Sequence, residues 1–552
     1  MAGRTRRACE SCRLRRVKCN GYPDRCRQCS HLDLKCAYPT KTKDTSRVGI
    51  ARGSVISRLK DSSAPTQAST TTHRLQPAAE YGYSRINDEP IRTAGSQDVA
   101  STIYPPNIEC DSFSADFFRA LIDDYRLYVY DVNPIILPSE ILQSIDVMHQ
   151  PGHGVDNALV YAYAAVTLNL TTENWQSDPV HSARIRQLIG LALKARNAVI
   201  ADCMSKLPSR IEPLLTARLV MSAIFVEICA MADGKYPEAF LILREAIAMI
   251  QLLEVDRLVA EDGSHRYSNG THLPPSERSR LIRLYWEAFI HERFLMVVAY
   301  YPTTLSPLPE NISLSGHDPT VSINVHVGWY YLIKLFCVLD HDFMQVWLSY
   351  GNSSTSSHVS AAWIEEKMQY LDDAYRIESD IHQTNDMSLP SQDFMSPSAS
   401  SPTSSRDLFT AGACLTNLQR ADIVITRQWL LMLLWQLAIS NCVLASETGA
   451  TQESAMSLQF PARLSKQLRH VVAELGRQSI ERHGSGILKK LFEITNALAD
   501  VILHAPTDLS SEMAQRLDDF IFLFDFLRNS SNLTDVQITM LEEKHTQIMT
   551  TS

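Results

Sequence analysis

The sequence predicts a mostly all-α protein: a small N-terminal unit built around six cysteines, then a large helical body. Three observations carry that expectation. Ile185, Leu188, Ile189, Ala192 and Val199 follow the i, i+3, i+4, i+7 spacing of one buried helix face. Residues 214–232, LLTARLVMSAIFVEICAMA, are apolar nearly all round, as a central helix should be. Strand-like alternation is scarce, and with 45% hydrophobic residues in 552 the body can bury a large core.

The head comes first in the chain, and its charge sets it apart. Residues 1–60 hold 16 Lys and Arg against 4 Asp and Glu, a charge of +12, whereas the whole chain is −9, leaving −21 for the remainder. A basic head on an acidic body points to a polyanionic partner for the head alone. The first twenty residues are polar and cationic with no apolar signal segment, so an intracellular chain is expected.

Six cysteines recur within that head. Cys9-x2-Cys12-x6-Cys19 is followed, six residues later, by Cys26-x2-Cys29-x6-Cys36. In a reducing compartment this spacing favours metal over disulfides. Zinc takes four thiolates tetrahedrally, so six cysteines cannot fill two separate sites, but they fill two sites that share two ligands. The repeat maps Cys9 onto Cys26, so these are the expected bridges: one ion on Cys9, Cys12, Cys19 and Cys26, the other on Cys9, Cys26, Cys29 and Cys36. Each Cys-x2-Cys should open a short helix, over 10–17 and 27–34, whose amide end stabilises thiolate charge. With only Leu14, Val17, Leu32 and Leu34 as apolar candidates, metal binding must supply most of the folding free energy, on the order of 10 kcal/mol. The other six cysteines, Cys110, Cys203, Cys229, Cys337, Cys414 and Cys442, lack ligand spacing and read as ordinary buried thiols.

Residues 8–38, ACESCRLRRVKCNGYPDRCRQCSHLDLKCAY, resemble the fungal zinc binuclear cluster transcription factors. The resemblance implies a nuclear, sequence-specific regulator of RNA polymerase II genes whose first helix enters the major groove of double-stranded DNA and reads a CGG triplet. The basic residue four places after the second cysteine, usually lysine in the family, does the reading; here it is Arg16, which can still donate a bidentate pair to guanine O6 and N7. Lys18 and Arg15 match further basic positions of that helix, and Arg13, Arg6 and Arg7 are assigned to backbone contacts. Pro23 lies three residues before Cys26 where the family pattern suggests two, so NGYPDR should follow a slightly different path.

The domains expected are a zinc binuclear cluster at 7–40, a flexible linker at 41–104 and an all-α regulatory region at 105–552. The linker is rich in Ser, Thr, Ala and Gln. Only Val48, Val55, Ile56 and Leu59 could form a seam there, and Gly49 and Gly53 interrupt it, so monomeric binding or a homodimer made through the body is as open as a zipper. In the body, helices are expected at 214–232, 237–254, 277–299, 324–349, 361–382, 410–445, 462–482 and 485–504, with a last set beyond 508. A disordered Ser-, Thr- and Pro-rich insertion is expected near 384–406. Ser396-Pro397 and Ser401-Pro402 within it read as parts of a flexible loop or as phosphorylation sites. Residues 429–445 are marginal for a membrane span and carry Gln436, Ser440 and Asn441, so a buried helix and no membrane are expected.

The body resembles the family's middle regulatory region in LILREAIAMIQLLEVD and in ERSRLIRLYWEAFIHERFLMVVAYYPTTLSPLP. The subgroup most similar is the amylolytic and maltose-responsive activators, and relatives with such bodies also control biosynthetic gene clusters. This implies coactivators or other transcription machinery as partners and a small-molecule effector, with a DNA-binding scaffold or repressor lacking its own activation function as the alternative. No catalytic residues are assigned. His291-Glu292 is followed by Arg293, Phe294 and Leu295, so the second histidine of H-E-x-x-H is missing; RHGSG at 482–486 lacks the G-x-S-x-G frame; and neither a P-loop nor a dinucleotide fingerprint occurs.

Overall fold

The computed structural model describes residues 19, 26–31, 36, 113–172, 175–176, 178–205, 213–255, 274–308, 318, 320–349, 359–385, 415–441, 457–504, 510–530 and 533–551. The chain divides into two compact units, Met1–Arg74 and Leu75–Ser552. Among the described residues the first unit contributes one helix, α1 (Arg27–His31). Residues 32–34 of the helix expected at 27–34, and the whole helix expected at 10–17, lie outside the described residues.

The second unit is all α, and no strand occurs among its described residues. Its helices are α2 (Ala115–Ala120), α3 (Pro138–Val147), α4 (Gly154–Thr171), α5 (Pro179–Ser205), α6 (Pro213–Ala232), α7 (Tyr236–Leu252), α8 (Pro275–Ala299), α9 (Ile323–Phe336), α10 (His341–Ser349), α11 (Ala361–Asn385), α12 (Asn417–Ser440), α13 (Phe460–Glu481), α14 (Ser485–His504), α15 (Ser510–Arg528) and α16 (Asp535–Thr551). A wide π-helical turn, Tyr125–Tyr130, joins α2 to α3 by way of Ile122–Asp124.

Local sequence explains most boundaries. Ser114 and Ser322 cap α2 and α9 by accepting from Phe117 N and Val325 N. At α12 the cap is reciprocal, since Gln419 N donates to Thr416 Oγ1 at 3.2 Å and Thr416 N donates to Gln419 Oε1 at 3.0 Å. That cap starts the helix at 417 rather than 410. The single helix expected over 324–349 is two, because Asp340 accepts from Phe343 N at 2.9 Å and starts α10 afresh.

Packing divides the helical body into two groups. In the first, α4 lies against α5 and α6, and α6 against α7. Ile185, Leu188, Ile189 and Ala192 form the buried face of α5, while Val199 is half-buried at its end. In the second group, α12 packs on α9, α11, α13 and α14, and α14 packs on α13, α15 and α16. Helix α8 touches α6, α7 and α9 and so joins the groups through one hydrophobic core, in which Trp175, Trp286 and Trp429 are fully buried. Helix α12 is long and apolar enough to cross a membrane, yet 83% of its most apolar stretch is buried inside the body.

The basic and aromatic character of α8 now has a physical reason. Arg280 pairs with Glu140 at 2.7 Å, and Arg283 pairs with Asp318 at 3.0 Å while donating to Pro134 O at 2.8 Å. These buried pairs pin the α3 region and the approach to α9 onto α8. At the C-terminal end of α8, Tyr300 adopts the left-handed conformation and turns the chain into 301–308.

Gly484 makes the turn between α13 and α14 at φ +73°, and a Cβ there would meet Leu170 Cδ2 at 2.7 Å. Gly484→Ala should therefore lower unfolding stability by about 2 kcal/mol, from backbone strain together with the clash. Equal denaturant midpoints for variant and parent would contradict this. Gly476 sits at φ +76° inside α13 and kinks it there with nothing nearby, so its requirement is conformational alone.

Candidate metal centre

Cys26 and Cys29 are buried and Cys36 is half-buried, and their three sulfurs lie within 4.8 Å of one another. Tetrahedral thiolates about 2.3 Å from one zinc stand about 3.8 Å apart, so this triad fits three of four corners. Helix α1 starts directly after Cys26, and Ser30 N donates to Cys26 O at 2.9 Å. That turn brings the sulfurs of Cys26 and Cys29 to one end of the helix. Cys29 N donates to Cys26 Sγ at 3.4 Å and Cys26 N donates to Cys36 Sγ at 3.2 Å. Amide donors aimed at sulfur stabilise the thiolate form, which is the form that binds metal.

The triad matches three of the four ligands expected for the second ion. The fourth, Cys9, and Cys12 of the first site lie outside the described residues, and Cys19 is described as half-buried. Arg6, Arg7, Arg13, Arg15, Arg16 and Lys18 lie outside the described residues too. Of the thiols left without chemistry, Cys229 is buried and its thiol is pushed far up by burial, and Cys337 is half-buried. The rest of that set lies where no side chain is described.

His291-Glu292, which resembles the start of a hydrolase motif, is put to other use. Glu292 accepts from Thr304 N at 2.7 Å, Leu305 N at 3.0 Å and Arg244 Nη1 at 2.8 Å, clamping the turn after α8. His291 points instead to Glu227, at 2.7 Å.

Residues 7–45 match the fungal Zn(2)-Cys(6) binuclear cluster domain, which binds two zinc ions through six cysteines. Beyond that domain, a "probable sucrose utilization protein" of Candida albicans is 21% identical over 413 residues, covering 74% of this chain and 69% of its own. An uncharacterized transcriptional regulatory protein of Schizosaccharomyces pombe is 24% identical over 320 residues, covering 54% of this chain and 39% of its own.

Proposed function

Since the chain opens with a fungal Zn(2)-Cys(6) binuclear cluster domain, the DNA-binding part of a transcription regulator, we propose that it is a nuclear, sequence-specific regulator of RNA polymerase II genes that reads CGG-like triplets in the major groove. The carrying observation is the doubled Cys-x2-Cys-x6-Cys pattern with Arg15, Arg16 and Lys18 set between the second and third cysteines. In this reading two zinc ions are held by Cys9, Cys12, Cys19, Cys26, Cys29 and Cys36, with Cys9 and Cys26 bridging. Zinc supplies the fold of the head and no reaction step. Arg16 reads guanine, Lys18 and Arg15 support the same helix, and Arg13, Arg6 and Arg7 neutralise phosphates. The body has a regulatory rather than catalytic task, contacting coactivators or other transcription machinery, and it leaves a homodimer open.

The target genes proposed are those of carbohydrate use, because the Candida albicans relative is named for sucrose utilization and overlaps most of the body. Genome-wide occupancy in the native cells, compared with transcripts after deletion, tests this. CGG-enriched peaks upstream of carbohydrate-use genes are expected, and peaks confined to one biosynthetic cluster would overturn the assignment of targets.

Two substitutions separate reading from anchoring. Arg16→Ala should lose about 1 to 3 kcal/mol of discrimination at one guanine, and unchanged specificity would refute its role. Lys18→Ala should weaken all sequences alike and reduce the salt slope by about one, and an altered preference would contradict that assignment.

A further inference from the structure

Lys490 is a buried amine to which DNA binding gives no task. It sits on α14, 6% exposed, in the wall of a cavity of about 140 Å³ among α4, α6, α8, α9, α12 and α14. Its Nζ lies 5.7 Å from the ring centre of Phe294 and 5.6 Å from that of Phe336, both of them wall residues, and 5.7 Å from that of Trp429. The ammonium therefore stands among the rings that bound the space.

Its own partners are few, and both come from α12. Nζ donates to Thr426 Oγ1 at 2.6 Å, while Asp422 is 3.4 Å away, a long approach for an ion pair. Burial pulls Lys490 below the usual lysine value, with Asp422 opposing the shift. Burial would raise Asp422, but Lys490, His483 and Thr426 together outweigh it and keep the carboxyl ionised. The other titratable groups of the wall are engaged elsewhere. Glu287 is 3.3 Å from His291, which Glu227 holds at 2.7 Å. His483, pulled down by burial and so neutral, donates to Leu418 O at 2.6 Å, and Arg482 donates to Thr171 O.

A lysine amine held among apolar rings with a carboxylate at hand is the arrangement that makes it a nucleophile toward carbonyl compounds. The space sets the size of the partner, since roughly 150 Å³ takes a benzene ring and hence a molecule of about six non-hydrogen atoms. Charge sets its kind. An acid would face Asp422 and Glu287, and an amine would face Lys490 and Arg482, whereas a neutral carbonyl compound meets neither repulsion and lays its alkyl chain on Ile290, Leu332 and Phe336.

We propose that Lys490 is a covalent capture site for short neutral aldehydes, the amine and the carbonyl condensing to an imine. Nζ passes a proton to Asp422, and its lone pair forms the N–C bond while the C=O π pair moves to oxygen. That oxygen takes the proton from Asp422, giving a carbinolamine. A second Nζ proton reaches the same oxygen by the same route, water leaves, and a protonated C=N bond remains. Two ammonium protons depart in the water and the positive charge stays on nitrogen beside Asp422, so no further reagent is required. One N–H is left where three served Thr426 and Asp422, and the adduct thus alters the polar tie between α12 and α14.

The test is reductive trapping of the intact zinc-loaded protein at neutral pH without DNA, using low-millimolar butanal and cyanoborohydride, with peptide mapping of each lysine. Lys490 should be alkylated at least about tenfold faster than the exposed Lys466, and its rate should reach half-maximum at a lower pH. Gly486→Leu adds bulk to the wall at a position where a Cβ would stand an ordinary 3.8 Å from Phe294. It should slow Lys490 severalfold while the Lys466 rate and the helical circular dichroism are retained. Equal rates for Lys490 and Lys466 in wild type, or a Lys490 rate that folded Gly486→Leu leaves unchanged, would overturn the site. Should Gly486→Leu lose its helical signal, the wild-type rate ratio and pH profile decide alone. Because no DNA is present, failure to trap Lys490 would leave the DNA-binding reading standing, and loss of DNA binding would leave the trapping standing.

Discussion

Cys26→Ala is expected to release both zinc ions and unfold the N-terminal unit, whereas Cys12→Ala removes a ligand from one site alone. Cys26 is buried, its sulfur sits within 4.8 Å of those of Cys29 and Cys36, and its own turn begins α1. As one of the two bridges in the proposed set, it would serve both ions, so its loss leaves two sites of three thiolates each. Structural zinc supplies on the order of 10 kcal/mol to such a unit, more than its few apolar side chains can replace. Zinc content by mass spectrometry under native conditions should fall from two to near zero in Cys26→Ala and Cys9→Ala, and less far in Cys12→Ala. Equal residual zinc in all three would contradict the bridging assignment while leaving six-cysteine binding intact.

Arg293→Ala should cost about 3 to 5 kcal/mol of body stability, the largest effect expected from one helical residue. Arg293 is 1% exposed. It donates to Leu339 O at 3.0 Å, Leu305 O at 2.6 Å and Glu292 Oε2 at 3.1 Å, with its guanidinium 4.2 Å from the ring centre of Phe289. Burial pulls the guanidinium below its usual value and Glu292 opposes the shift, so the charge is held by its partners. Alanine orphans two carbonyls and takes one of two guanidinium partners from the buried Glu292 carboxylate, which anchors the turn after α8. Lysine should recover only part of the loss, because one ammonium cannot match three acceptors spread across a planar fork. Denaturant midpoints followed by the helical signal measure both, and an Arg293→Ala loss below about 1 kcal/mol would show that the clamp does not hold that turn.

Legibility in the sequence differed sharply between head and body. Six cysteines at a repeated spacing state ligand type and count directly, so the Cys26, Cys29 and Cys36 cluster follows from primary structure. Helices with one apolar stripe, such as α5, are equally plain. Helix α4 has 14 of its 18 residues buried and so no stripe to count, and Asp156, Thr167 and Asn169 among them interrupt the all-round apolar run that marks α6. Helices α2 and α3 are short, and the π-helical turn between them has no period that sequence reveals. The break at Asp340 was visible only as a capping residue inside an apolar run.

The cavity was illegible for another reason. Asn169, Glu287, Trp329, Asp422 and Lys490 come from five helices and are brought together by packing alone. Each reads alone as a polar residue in a helix. Glu287 and Lys490 are buried beside their partners, Asn169 and Trp329 are buried neutral groups, and burial belongs to the fold.

The central claim, a zinc-organised head that reads DNA sequence, is tested most directly by selection from a random duplex pool with the full-length, zinc-loaded protein, with and without a chelator. The account predicts enrichment of CGG-containing duplexes that chelation abolishes and that Arg16→Ala relaxes at one guanine. An unenriched pool, or enrichment that survives removal of zinc, would contradict it.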